Sequence, residues 1–210
     1  MVLMDDVIEA VDKLAYQNNT SRSNMINQIL AEYCSFVTPE KQMSRIFDEV
    51  SELLAAQQRA FQLLARQSDR MMNIKSALSF KYNPTIRYSL ELYPDGGNTL
   101  GELRVNLRTQ SRTLLTCLTQ FFLLWKKLEE AYAGEQVPCE IAEGKYRRVL
   151  GRPAEKEHQS PEAIAVAISG YITCLDDAMK AYFANLDDLA HLPQRVESVY
   201  RAHLPKKIHI

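Results

Sequence analysis

The chain has 210 residues, 46% of them apolar and 24% charged, with a formal net charge of −1, a balance ordinary for one or two globular domains. No overall basic field announces nucleic acid, so any such contact must come from a local surface. Uncharged stretches such as that between Arg112 and Lys126 fall short of the roughly 20 residues a spanning helix needs, and the acidic opening MVLMDDV is unlike a signal peptide; a cytoplasmic protein with no membrane partner is expected.

Taken in chain order, the first helix is predicted from Met4 or Asp5 to Gln17. Val7, Ile8, Val11, Leu14 and Ala15 recur at helical spacing, and Asp5, Asp6 and Glu9 suit its positive N-terminal end. Asn18, Asn19 and Thr20 break it. Ser21 is a natural N-cap for a second helix with Met25, Ile26, Ile29, Leu30 and Tyr33 on one face. Thr38-Pro39-Glu40 then opens a longer helix carrying Met43, Ile46, Phe47, Val50, Leu53 and Leu54.

From Ile86 the period changes to 2. Ile86, Tyr88, Leu90 and Leu92 alternate with Arg87, Ser89, Glu91 and Tyr93; beyond the turn Pro94-Asp95-Gly96-Gly97, Leu103, Val105 and Leu107 alternate with Arg104, Asn106 and Arg108. This predicts a hairpin with one buried face. A helix from Ser111 to Tyr132, with Leu114, Leu115, Leu118, Phe121, Phe122, Trp125 and Leu128 on a wide stripe, is expected to be the central one of this region. A second hairpin turns at Glu143-Gly144 and joins Cys139–Ile141 to Tyr146–Leu150. Ser160-Pro161-Glu162 opens another helix with Ile164, Ile168, Ile172, Leu175, Met179 and Phe183, and Asp187-Asp188 is read as the cap of the last one.

Arg87, Arg104 and Arg108 fall on the outer face of the first hairpin, and Lys145, Arg147, Arg148 and Arg152 cluster on the second. A solvated face with Glu91 and Glu102 as neighbours is the expectation, with an anionic effector or an extra DNA contact as alternatives. Phe121, Phe122 and Trp125 are expected in the core rather than around a ligand.

Cys34, Cys117, Cys139 and Cys174 form no C-x-x-C pair, and His158, His191, His203 and His209 show no ligand spacing, so free thiols are expected, with no metal or other cofactor. No catalytic pattern emerges either. Gly96-Gly97 lacks the lysine of a phosphate loop. The adjacent pairs Asp176-Asp177 and Asp187-Asp188 cannot converge from a helix. Ser169 lies inside a helix, away from any strand-to-helix elbow. The chain is not expected to be an enzyme.

Some 36 residues in two helices fall below the rough 40-residue limit for independent stability, so the apolar stripes of residues 1–36 need a partner surface. Leu3, the run Asp5 to Ala15, the polar loop, Ser21-Arg22-Ser23, and then Ile26, Ile29, Leu30 and Ala31 together resemble the ribbon-helix-helix DNA-binding family of the Arc, MetJ and CopG type. The resemblance implies a homodimer or higher homo-oligomer in which two chains pair strands into a ribbon over their intertwined helices. Its core would be Leu3, Val7, Val11, Leu14, Ile26, Ile29, Leu30 and Tyr33. Double-stranded DNA would be met by Val2, Thr20, Ser21, Arg22 and Ser23, with the start of the second helix holding the phosphate backbone.

The chain departs from the family at its base-reading strand, of which only Met1 and Val2 precede Leu3, and Lys13 and Arg22 are outnumbered by Asp5, Asp6, Glu9, Asp12 and Glu32. Two explanations stay open. The strand lies upstream of Met1, or the protein keeps the scaffold for dimerisation and has lost sequence-specific binding. The fold expected is mostly helical: a ribbon-helix-helix unit (1–36, strand largely missing), then an α+β domain (38–210) of long helices and antiparallel hairpins. Its function is expected to be transcriptional regulation. The folded second domain argues against an antitoxin, whose tail is short and disordered, and hairpins without ligands argue against a nickel sensor.

Overall fold

The computed structural model describes residues 4–34, 38–57, 61–65, 68–80, 83–94, 97–155 and 159–204. The protein is mixed α+β and divides into two compact units between Gln42 and Met43. The first unit holds α1 (Asp5–Gln17), α2 (Arg22–Tyr33) and the opening turn of α3 (Pro39–Ala56). Met4 stands at the start of α1 in extended conformation, without a side-chain cap; Asp5 and Asp6 supply the negative charge that suits a helix start. Asn18 closes the helix by donating its side-chain amide to the Leu14 carbonyl at 2.9 Å, and Asn19 turns the chain at φ 53°. Val2, Leu3 and any ribbon strand lie outside the described residues.

In the second unit the described residues form a six-stranded antiparallel sheet of order β1-β2-β3-β4-β6-β5, with β1 (Phe61–Leu63), β2 (Met71–Ala77), β3 (Thr85–Leu92), β4 (Thr99–Leu107), β5 (Cys139–Ala142) and β6 (Lys145–Gly151). The remainder of α3, α4 (Arg112–Ala133), α5 (Pro161–Ala184) and α6 (Leu192–His203) share a single core with the inward side chains of the sheet. Both expected hairpins are present, as β3–β4 and β5–β6. Strands β1 and β2 are additions to the sequence reading. β1 is only three residues long, and β2 blurs its period by turning Ser76 inward and leaving Met71 half-buried on the other side.

The central helix is α5, not α4. Fifteen residues of α5 are buried, spread round the whole cylinder, whereas α4 keeps an exposed side that includes Leu123. Ala165, Ala167 and Ala178, all buried, let the surrounding elements approach α5 closely, and such small side chains add little to an apolar stripe. The last helix also differs from expectation. His191 stands at its start, and the Asp188 carboxylate accepts from His191 Nδ1 at 2.9 Å and from Arg195 at 3.1 Å instead of capping the helix. No helix of the described residues is long and apolar enough to cross a membrane.

Two glycines hold the sheet's geometry. Gly101 lies at the bulge in β4 opposite Leu92, where an added Cβ would run into the Glu91 carbonyl. Backbone cannot swing aside as a side chain can. Gly101→Ala is therefore expected to cost about 1–3 kcal/mol in a denaturant melt, and a variant as stable as the parent would refute this placement of the bulge. Gly144 turns β5 into β6 at φ 64°, and its N–H donates to Thr119 Oγ1 of α4 at 3.0 Å, anchoring the second hairpin to that helix.

Candidate functional site

In the first unit, Ser21 occupies the N-cap of α2 in extended conformation, and its hydroxyl accepts from the Asn24 N–H at 3.3 Å. Thr20 is half-buried and donates its backbone N–H to the Ala15 carbonyl at 2.9 Å; Ser23 is exposed. The structure thus brings Thr20, Ser21, Arg22 and Ser23 together at one helix start, and the first turn carries no acid.

Arg22 is already engaged. Its Nε donates to Asp12 Oδ1 at 2.6 Å and its Nη2 to Asp12 Oδ2 at 2.5 Å, a two-pronged pair between α2 and α1. The hydrogen bond from Arg22 holds the Asp12 carboxyl below its ordinary value, and the same bond raises the guanidinium. A phosphate reaching this turn would have to compete with Asp12.

Of the residues assigned to a dimer core, Val11 is buried and Ile26 is half-buried, packed with Ala15 and Met25. Val7, Leu14, Ile29, Leu30 and Tyr33 are exposed, from 38% at Val7 and Ile29 to 89% at Tyr33. Among the described residues, the helix pair therefore buries a three-residue cluster while leaving large apolar side chains in water.

The second unit contains a polar network that the sequence did not reveal. Glu129 of α4 is buried, and its Oε2 accepts from the Tyr146 hydroxyl of β6 at 2.7 Å and from the Tyr171 hydroxyl of α5 at 3.0 Å. Trp125 Nε1 donates to the Tyr171 oxygen at 3.1 Å, and Glu129 Oε1 faces Arg148 Nε at 3.6 Å. Burial, together with the neighbouring carboxylate, pushes both tyrosines well above their ordinary range, so the hydroxyls keep their protons and serve as donors. Burial opposes the charge of Arg148, but the Glu129 carboxylate, by its charge and its hydrogen bond, outweighs it and raises the guanidinium.

Arg148 therefore does not belong to a surface cluster with Lys145, Arg147 and Arg152. Adjacent strand residues point to opposite faces, which turns Arg148 inward while Lys145 and Arg147 face outward. Arg152, beyond the strand, donates to the Gly97 carbonyl at 3.1 Å.

Cavities border the network. One of about 300 Å³ is lined by Trp125, Tyr171, Thr173, Tyr200 and His203 among others, and another of about 280 Å³ reaches Glu129, Arg148 and Arg152. The first has the aromatic walls and few polar groups typical of a small-molecule pocket. Trp125, Phe121 and Phe122 themselves are fully buried core residues, stacked or tilted against one another.

On the outer face of the sheet, Glu102 is expected from sequence to be solvated but is fully covered. Arg147 Nε donates to it at 2.7 Å, Arg104 pairs with it, and both arginines reach a second acid, Glu140 and Glu91 respectively. Burial alone would raise the Glu102 carboxyl; hydrogen bonds from Arg147 and Tyr93 and the fields of Arg104 and Arg147 hold it below its ordinary value.

No known family model matches this chain, and no curated protein or solved structure is detectably similar to it. Among the described residues, no three His, Cys, Asp or Glu side chains are grouped to hold a metal ion, and the cysteines are free thiols.

Proposed function

We propose that this chain is a homodimeric DNA-binding transcriptional regulator of the ribbon-helix-helix type, whose second unit adds regulation or further assembly. The observation that carries this reading is the helix pair α1–α2, capped by Ser21, which leaves Val7, Leu14, Ile29 and Leu30 exposed around a cluster too small to stabilise it. An intertwined second copy would bury these side chains. It would also present the α2 starts of both chains on one side, where capped helix N-termini hold phosphates.

The pair between Arg22 and Asp12 supports a second reading, a dimeric interaction protein that uses the scaffold without specific DNA binding. Salt dependence separates them. If Arg22 meets phosphate, log affinity of the full chain for duplex DNA falls steeply with log salt, and Arg22→Ala flattens the slope by about 1. Asp12→Asn, which releases Arg22, should then tighten binding. Absence of duplex binding at low salt by parent and Asp12→Asn alike would leave the interaction-protein reading.

A further inference from the structure

Opposed cations occur in successive rows on the outer face of the sheet, and they are treated differently. In one row Arg104 of β4 stands directly across from Arg147 of β6, and Glu91, Glu102 and Glu140 neutralise them. In the next row Lys75 of β2 stands across from Arg87 of β3, Arg87 from Asn106 of β4, and Asn106 from Lys145 of β6. Like charges directly opposed across a ladder are destabilising. The same-face neighbours of Lys75 and Arg87 also include Gln62, Asn73, Ala77, Thr85 and Ser89, none of them acidic.

Lys75, Arg87 and Arg108 line a cleft of about 350 Å³, with Asn83, Thr85 and Asn106 between them. Among the described residues no carboxylate pairs with these cations. Arg108 also borders a cleft at the start of α4, a 22-residue helix capped by Ser111 whose first turn contains no acid. The positive end of that helix adds to the same electropositive corner.

We infer that this corner is a binding site for a phosphate-bearing ligand. Guanidinium forks match phosphoryl oxygens in pairs, the lysine adds a point charge, and the Asn and Thr side chains supply neutral hydrogen bonds. Glu102 does for Arg104 and Arg147 what the bound anion does here. Among the described residues lining the cleft none is aromatic, and the charged and amide side chains there are suited to phosphoryl oxygens. The phosphate comes from a small phosphorylated compound or from a nucleic-acid backbone.

Calorimetry on the full chain with inorganic pyrophosphate, at constant ionic strength, tests the site. Saturable binding is expected, weakened about tenfold or more by Arg87→Gln and by Arg108→Gln, which each remove a charged hydrogen-bonding fork. Lys127→Gln, an equal loss of charge at an exposed position of α4, and Arg22→Ala should leave it unchanged. Displacement of pyrophosphate by a short DNA duplex identifies the backbone as the source, and simultaneous binding of both identifies a small ligand; either result supports the site. Failure of the parent to bind pyrophosphate saturably, or equal weakening by Lys127→Gln, overturns the inference. Because Arg22 lies outside this site, failure of the DNA reading leaves the result intact.

Discussion

Glu129→Ala should lower the melting temperature of the second unit by roughly 10 °C, corresponding to about 3–5 kcal/mol for removing one member of a buried ion pair. The substitution strips Arg148 of its facing carboxylate and takes from the Tyr146 and Tyr171 hydroxyls their shared acceptor. Those hydroxyls lie 3.3 Å apart and can satisfy only part of the loss by bonding to each other. Arg148 bears most of the cost, because an uncompensated guanidinium behind the sheet must remain desolvated or drag water inward.

A second substitution isolates that cost. Adding Arg148→Met to Glu129→Ala should recover part of the stability, since an apolar side chain of similar length leaves no orphaned charge. Trp125, the protein's only tryptophan, donates to Tyr171 within the network, so its fluorescence follows the melt from inside. A Glu129→Ala variant within about 1 kcal/mol of the parent would show that Glu129 and Arg148 do not stabilise each other.

Ile29→Asp is the second large effect expected, on assembly. Ile29 is 38% exposed in the single chain, so a charge there costs a monomer little. In the proposed dimer the same position is buried, and an unpaired carboxylate would cost several kcal/mol of association energy. Sedimentation velocity should show a dimer for the parent and a monomer for the variant at micromolar concentration. Trp125 lies in the other unit, so its unchanged emission would show that the second unit still folds, and unchanged helical circular dichroism would show that α1 and α2 do. A variant as dimeric as the parent removes Ile29 from the interface, and a monomeric parent removes the basis of the dimer itself.

Most local elements were legible because local chemistry specifies them. Ser21, Thr38, Ser111 and Ser160 each accept from the N–H three residues on, an interaction contained within one turn of chain. The hairpin β3–β4 was legible because its inner face is unbroken from Ile86 to Leu92 and from Leu103 to Leu107. By contrast, β2 was obscured by an inward serine, and without β2 the opposition of Lys75 to Arg87 was invisible.

Residue order along the chain thus determined the helix starts, the strand faces and the apolar stripes of α1 and α2, since each depends on neighbours within a few positions. Only the tertiary structure decided that α5 is the central helix, that Arg148 turns inward to Glu129, that Arg22 is held by Asp12, and which outer-face cations have acids beside them. The pairs Arg22–Asp12, Arg148–Glu129 and Arg147–Glu102 join residues 10 or more positions apart. Burial and charge pairing depend on what the folded chain brings close, and no repeat or spacing in the sequence encodes that proximity.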